Sequence, residues 1–246
     1  DSGSVWANHN TGNSFVQVYN IHKTYAQWAS VTLADTATAN LCYNYDKGWH
    51  QGAFNDLPRP SVFGFGWGTY NMTSHNVIGD SMFIVKADTS FYKVYIHSLI
   101  SVPMDWDIEV ENFATGISYR DTISRGTVYA NKNFAYYNLA TGTALDREPA
   151  KTTWDFVFNR YNTLASIGGP FIPYSVIGVL SNKGVNVVKV NPVHVDSAFA
   201  HYDNYVYPWP SNSKMISGIG YDWKMPPAGP PPATWTIPDS MSYFVQ

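Results

Sequence analysis

Charged residues and cysteine are both scarce in this chain. Of its 246 residues only 13% are Asp, Glu, Lys or Arg, and Cys42 is the single cysteine. One cysteine cannot form a disulfide within the chain, so packing alone must stabilise the fold, and we expect the thiol to be buried. A net charge of -3 without any basic run offers no electrostatic footprint for nucleic acid or an anionic membrane surface.

Long apolar runs and catalytic signatures are also missing. No segment approaches the roughly 20 apolar residues that a membrane-spanning helix requires. The sequence has no Gly-x-Ser-x-Gly elbow, no His-Glu-x-x-His, no phosphate-binding glycine loop and no Cys/His pair suited to nucleophilic catalysis. Paired carboxylates of the glycosidase kind need no local motif and stay open. We nevertheless expect a protein that is not an enzyme.

Aromatic and small polar residues are abundant in this chain, whereas charged residues are few. Phe, Trp and Tyr make up 16% of the chain, and Asn, Thr, Ser and Gly stand where a cytosolic protein would place Lys and Glu. This composition predicts an extracellular or outer cell-surface location. It also favours a binding or structural surface over a catalytic site.

Alternation of apolar and polar residues, rather than helical periodicity, dominates the pattern. A short helix is indicated only at residues 24–31. We therefore predict an all-β fold of mostly antiparallel sheets with few short helices. The segments predicted to be strands are residues 14–19, 81–86, 91–96, 106–110, 133–139, 154–158 and 185–190.

Three sequence blocks recur in the same order in the two halves of the chain. The paired blocks are residues 12–22 and 184–194, residues 64–70 and 218–224, and residues 80–82 and 239–241. Within them His22 recurs as His194, and the Asp-Ser pair at 80–81 recurs at 239–240. Because the order is preserved, we infer two similar tandem units, at residues 1–122 and 123–246.

One segment of the second unit resembles a known family. Residues 134–161, with an aromatic strand, a Leu-x-x-x-Gly turn and then Trp154-Asp155-x-x-Phe158-x-Arg160-Tyr161, resemble the opening strands of HmuY-like proteins. These are secreted haem-binding proteins of the Bacteroidetes type and their relatives. The segments YANKNFAYYNL and REPAKTTWDFVF look closer to repeated units in large surface proteins exported by the type IX secretion system.

The resemblance also implies that each unit lacks one end. Residues 66–96 resemble later strands of the family, so the first unit lacks N-terminal strands and the second lacks C-terminal ones. We take the chain as part of a longer polypeptide. Sheet edges would then be open to its further segments, to other surface proteins or to homo-assembly.

Haem is the cofactor that the family resemblance suggests. In its haem-binding members two histidines clamp the iron, and His50 and His75 lie at roughly matching places. Trp49, Trp67 and Tyr70 would then offer an aromatic pocket. The alternative is that His75 bonds a turn and His50 is a surface loop residue, and on that view no cofactor is expected.

Two further sites are open from the residues themselves. Strand geometry puts Asp105, Asp107 and Glu109 on one face, where they could hold calcium or simply form a solvated, charged face. Trp209, between two prolines, could serve a carbohydrate-binding module or plug the sheet. The sequence thus predicts a structural, adhesive or ligand-binding protein, with haem binding and carbohydrate binding as alternatives.

Overall fold

The computed structural model describes residues 3–7, 16–56, 62–165, 169–190, 215–221, 223 and 242–245. The chain forms two compact units. Unit 1 comprises Asp1–Tyr45 and His50–Thr153, and unit 2 comprises Asp46–Trp49 and Trp154–Gln246.

Unit 1 is built on an eight-stranded antiparallel sheet, with a small hairpin beside it in the sequence. The sheet strands are β1 (Val16–Asn20), β2 (Asn40–Cys42), β3 (Gly68–Tyr70), β4 (Val77–Gly79), β5 (Met82–Ala87), β6 (Ser90–Ile100), β7 (Asp105–Asn112) and β8 (Ser118–Ser124). The hairpin strands are β9 (Tyr136–Asn138) and β10 (Thr143–Leu145).

The long strand β6 organises the sheet. On one side it pairs with β5 along its first half and with β4 along its second half, and on the other side it pairs with β7. The sheet continues from β5 through β1 to β2, from β4 to β3, and from β7 to β8. A register shift between Ile96 and Ser98 marks a bulge in the pairing with β7.

Both faces of this sheet are covered. Successive side chains of a strand point to opposite faces, so Phe83 and Val85 enter one core while Met82 and Ile84 enter the other. The first core also contains Phe54 from the 3-10 helix Ala53–Asn55. Trp28, from the 3-10 helix Tyr25–Ser30, packs against the second core. A further 3-10 helix follows at Leu33–Thr38.

Cys42 belongs to the first core and carries a free, buried thiol. Burial raises the pKa of that thiol to about 12, since the charged thiolate is disfavoured away from water. The expectation of a buried cysteine is confirmed.

Unit 2 contains two separate antiparallel pairs in its described part. The strands β11 (Phe156–Ala165) and β12 (Ile172–Ser181) form a long hairpin. The strands β13 (Val187–Val190) and β14 (Ser242–Val245) form a shorter pair. Gly220 pairs with Val179 at the outer side of β12, and a Cβ on Gly178 would lie only 2.4 Å from the Gly220 carbonyl oxygen. That close backbone approach explains a glycine within the strand.

The all-β prediction is confirmed, because antiparallel strands account for nearly all the regular structure described. The segments predicted as strands overlap β1, β5, β6, β7, β9, β11 and β13, with bounds that differ by several residues, and the predicted helix overlaps the 3-10 helix Tyr25–Ser30. Within the described ranges, no helix is long and apolar enough to cross a membrane.

The tandem arrangement stays a prediction. Gly66 and Gly220, which are paired in the sequence repeat, both adopt left-handed backbone with φ of 85° and 65°. Repeated strands also pair in both units, as β1 with β5 and β13 with β14. The boundary predicted between residues 122 and 123 falls inside β8, in the middle of its pairing with β7, whereas the compact units divide between Thr153 and Trp154.

Candidate functional site

His75 lies at the tip of the β3–β4 hairpin and is exposed. The Asn71 side chain accepts hydrogen bonds from two main-chain amides of the loop, at Thr73 and Ser74. His75 itself adopts left-handed backbone with φ of 60°, and its Nδ1 lies 2.7 Å from the Tyr70 hydroxyl. The loop therefore holds the imidazole by Nδ1 and leaves Nε2 as the atom that could bind an external group.

The other predicted pocket residues lie in different surroundings. His50 is exposed in the turn that follows Trp49. Trp67 is completely buried in the first core of unit 1, where its Nε1 donates to the Gly3 carbonyl at 2.7 Å. Trp49 belongs to unit 2 and donates its Nε1 to the Ser181 carbonyl at 2.9 Å. The fold thus uses both tryptophans for packing and hydrogen bonding.

The predicted carboxylate ladder lies on the sheet face opposite Trp106 and Ile108, as strand alternation requires. Asp107 accepts two hydrogen bonds from Arg120, at 3.0 and 2.7 Å, in a bidentate ion pair. Arg120 holds the pKa of Asp107 below its usual value, because the charged form is stabilised by the guanidinium. Asp105 Oδ1 is buried, and no described residue donates a hydrogen bond to it.

Glu109 lies at the centre of a small aromatic cluster. Its Oε2 is 2.7 Å from His97 Nε2 and accepts a hydrogen bond from the Tyr25 hydroxyl at 3.0 Å. The Tyr25 ring packs 4.9 Å from that of Tyr95 and 4.7 Å from that of His97. The hydrogen bond to Glu109 raises the pKa of Tyr25, because ionising the phenol would set two negative charges side by side.

Glu111, a further acid on the same face, is also paired. Glu111 forms an ion pair with Lys93 at 2.7 Å and accepts a hydrogen bond from Trp28 Nε1 at 3.1 Å. The Lys93 ammonium lies over the rings of Trp28 and Phe113. This pairing lets a lysine stay buried in the second core.

Asp107, Glu109 and Glu111 are therefore matched by basic and aromatic groups from neighbouring elements. Within the described ranges no group of three or more His, Cys, Asp and Glu side chains is arranged to hold a metal ion. The sequence pattern indicated Asp105, Asp107 and Glu109. It did not indicate Glu111 or the partners Tyr25, His97 and Arg120. Alternation along β6 could have put Lys93, Tyr95 and His97 on one face, yet only the strand register brings them opposite the acids.

A different kind of surface lies on the β11–β12 hairpin of unit 2. Every residue in 169–175 is exposed, and large apolar side chains are exposed on both faces of the hairpin: Phe158, Leu164 and Ile177 on one face, Ile172 and Tyr174 on the other. We call this surface the apolar arm. Its members, with their exposed fractions, are Phe158 (79%), Phe171 (71%), Ile177 (53%), Tyr174 (51%), Ile172 (49%) and Leu164 (39%).

The apolar arm includes an outward-facing strand edge. Val179 exchanges main-chain hydrogen bonds with Gly220, at 2.8 and 3.0 Å, so its N–H and C=O point away from β11. Phe158 is directly opposite Val179, and in such a pair both residues direct their main-chain groups outward. The Phe158 main chain therefore faces the outer edge of β11, next to an exposed phenyl ring.

Comparison with known proteins adds no relative: no family model matches the chain, and neither curated proteins nor solved structures gave a match. The resemblance to HmuY-like proteins stays a prediction. The predicted residues His194, Trp209, Asp239 and Ser240 lie outside the described residues.

Proposed function

We propose that this chain is a non-enzymatic protein of the cell surface or extracellular space with a structural or adhesive role, and that it assembles with further copies of itself through the apolar arm. The observation that carries the proposal is the exposure of Phe158, Phe171 and Tyr174 on one hairpin. A concentration of large exposed apolar side chains on one hairpin favours an interaction site.

The energetics favour burial of this surface. Covering one large apolar side chain stabilises by roughly 1.5–3 kcal/mol, so a contact that covers even part of the apolar arm could offset the entropy lost on association. Few charged groups oppose it, because Arg160 is the single charged residue of β11. Desolvating this strand would therefore cost little.

A second copy is the occupant that the geometry favours. The outer edge of β11 is open at Phe158, whereas farther along the strand the Asn162 carbonyl accepts a hydrogen bond from the Asp46 amide at 3.3 Å. The open part is self-complementary, since two such edges can pair antiparallel about a two-fold axis and each supplies the hydrogen bonds the other needs. The exposed rings of Phe158 would then approach their symmetry mates. No additional partner protein is required for such a contact.

Light scattering over a concentration series tests this assembly. We expect the weight-average mass to rise with concentration for the unaltered chain, and to stay at the monomer value for Phe158→Thr, which keeps strand propensity but removes the ring. Val102→Thr is the matched control, since Val102 is exposed in unit 1, outside the apolar arm, and should associate like the unaltered chain. A monomer at all concentrations, or equal association of both variants, would reject the proposal.

Haem binding is a second candidate, favoured by the hydrogen bond between Tyr70 and His75 Nδ1. Metal-ligating histidines commonly engage their other ring nitrogen in such a bond, which fixes the ring. His50, exposed on another loop, would supply the second ligand. Bound haem would contribute an iron centre held by two imidazoles.

Titration with haemin tests that candidate. Haem capture predicts a Soret band that weakens in His50→Ala and in His75→Ala but not in His22→Asn, which changes a histidine outside both loops. An unchanged spectrum in both alanine variants would exclude these residues as ligands.

A further inference from the structure

An open cavity of about 400 Å³ lies on unit 1, and neither His50 nor His75 lines it. It is formed where β1 ends, where the chain turns toward the first 3-10 helix, and where β4 turns into β5. Its lining residues are Asn20, His22, Lys23, Thr24, Asn40, Asp80 and Ser81. The volume falls within the range of small-molecule sites.

The backbone around the cavity is well fixed. The Ile21 amide donates to the Met82 carbonyl, and the Met82 amide donates to the Lys23 carbonyl, so both sides of His22 are tied to β5. His22 adopts left-handed backbone with φ of 56°, and the buried Asn20 accepts its amide hydrogen at 2.8 Å. The backbone of His22 is thus fixed at the cavity by hydrogen bonds on both sides of the residue.

The charged groups of the cavity already have partners. Lys23 forms a 2.7 Å ion pair with Asp35. The Asp80 carboxylate accepts hydrogen bonds from Thr69 and Ser81, both at 2.7 Å. What the walls offer a ligand is a mixture of amide, imidazole, hydroxyl and carboxylate groups with no strong excess of one charge. Such a set donates and accepts hydrogen bonds but has little to attract a bare anion or cation.

Residues from two of the repeated sequence blocks line this cavity. His22 belongs to one repeated block and Asp80 and Ser81 to another, and the same residue types recur at His194, Asp239 and Ser240. The strand pairing of β1 with β5 brings the first two blocks together here. The repeat therefore retains the residue types of His22, Asp80 and Ser81, which line the cavity of unit 1.

We propose that this cavity binds a neutral saccharide unit, with His22, Asp80 and Ser81 exchanging hydrogen bonds with its hydroxyl groups. Sugar hydroxyls each donate and accept, which suits alternating amide, imidazole and carboxylate partners. The site is independent of the apolar arm, so it does not depend on self-assembly.

Titration of the isotope-labelled chain with mannose, galactose and N-acetylglucosamine, followed by NMR, tests the site. We expect at least one sugar to shift the amide signals of residues 20–24 and 80–81 in a saturable way. His22→Asn should weaken the affinity for that sugar about tenfold, corresponding to about 1.4 kcal/mol. Asparagine tolerates the left-handed backbone but lacks the imidazole. His75→Asn is the matched control, since it makes the same change at another left-handed histidine, and should bind like the unaltered chain.

Four outcomes would overturn the proposal. These are no shift of the cavity amides by any of the three sugars, shifts confined to other residues, equal binding by the two asparagine variants, or a saturable response to inorganic phosphate or calcium chloride in place of the sugars. Circular dichroism of His22→Asn matching the unaltered chain would show that weakened binding does not come from loss of the fold.

Discussion

Similar apolar side chains are buried in unit 1 but exposed on the apolar arm of unit 2. In unit 1, Phe83 and Met82 are completely buried on the two faces of the sheet. On the apolar arm, Phe158 and Tyr174 belong to an equally aromatic hairpin but are exposed. The residue composition of a strand therefore indicates whether it will join a sheet. Whether the faces of that sheet become buried depends on which other segments pack against them.

The outer strands of the two regions differ as well. β8 of unit 1 carries Arg120 and Asp121, and charges on an outer strand discourage pairing with another chain. β11 has Arg160 as its single charged residue and no proline or glycine. We therefore expect association through β11 and not through β8.

The largest expected difference between the regions is in stability. Phe83→Ala should lower the free energy of unfolding by about 3–5 kcal/mol, because it leaves a cavity in the core of unit 1. Phe158→Ala should change it by no more than about 0.5 kcal/mol in the monomer, because the ring is exposed. Urea denaturation at low protein concentration, followed by circular dichroism, measures both. Similar losses in the two variants would mean that Phe158 is not exposed.

Glycine substitutions provide a smaller contrast. A Cβ on Gly79 would lie 1.9 Å from the Ile96 carbonyl oxygen, so Gly79→Ala should cost roughly 2–3 kcal/mol as the strands move apart. At Gly169, on the hairpin of unit 2, no heavy atom in the described structure lies within 4 Å of the added Cβ. Gly169→Ala should therefore cost nothing measurable in thermal unfolding. A stable Gly79→Ala variant would contradict the close packing of β4 against β6.

The smallest effect concerns the ion pair between Asp107 of β7 and Arg120 of β8. Arg120 lowers the folded-state pKa of Asp107. The ion pair therefore stabilises the fold fully at pH values above the unfolded-state pKa of about 4. This stabilisation disappears as the pH falls through the folded-state pKa. Asp107→Asn should thus be less stable at neutral pH by up to about 1 kcal/mol, and the deficit should vanish in strong acid. Thermal unfolding of both chains between pH 7 and pH 2 measures this; a deficit that does not change with pH would contradict the ion-pair explanation.

Much of the fold could be predicted from local pattern. Strands such as β5 and β6 stand out because β-branched and aromatic residues recur over several neighbouring positions. β12 was missed because Pro173 and Gly178 interrupt its pattern, although both are accommodated in the hairpin. Short strands such as β3 and β4 contain too few residues for alternation to be visible.

The candidate sites depended more on long-range structure. Alternation correctly put Asp107 and Glu109 on one face, but their partners Arg120 and His97 come from β8 and β6, and only the register of those strands brings them together. Trp67 resembled a pocket residue in the sequence and is completely buried. Exposure of the apolar arm likewise could not be predicted, because no local signal tells whether another segment covers a strand.

Hydrogen exchange at increasing protein concentration tests most directly whether the apolar arm joins copies of this chain. We predict that the amide of Phe158 and its neighbours on β11 become more protected as concentration rises, while amides of β8 in unit 1 exchange at a constant rate. Protection that rises on β8 with β11 unchanged, or exchange independent of concentration at both strands, would contradict the account.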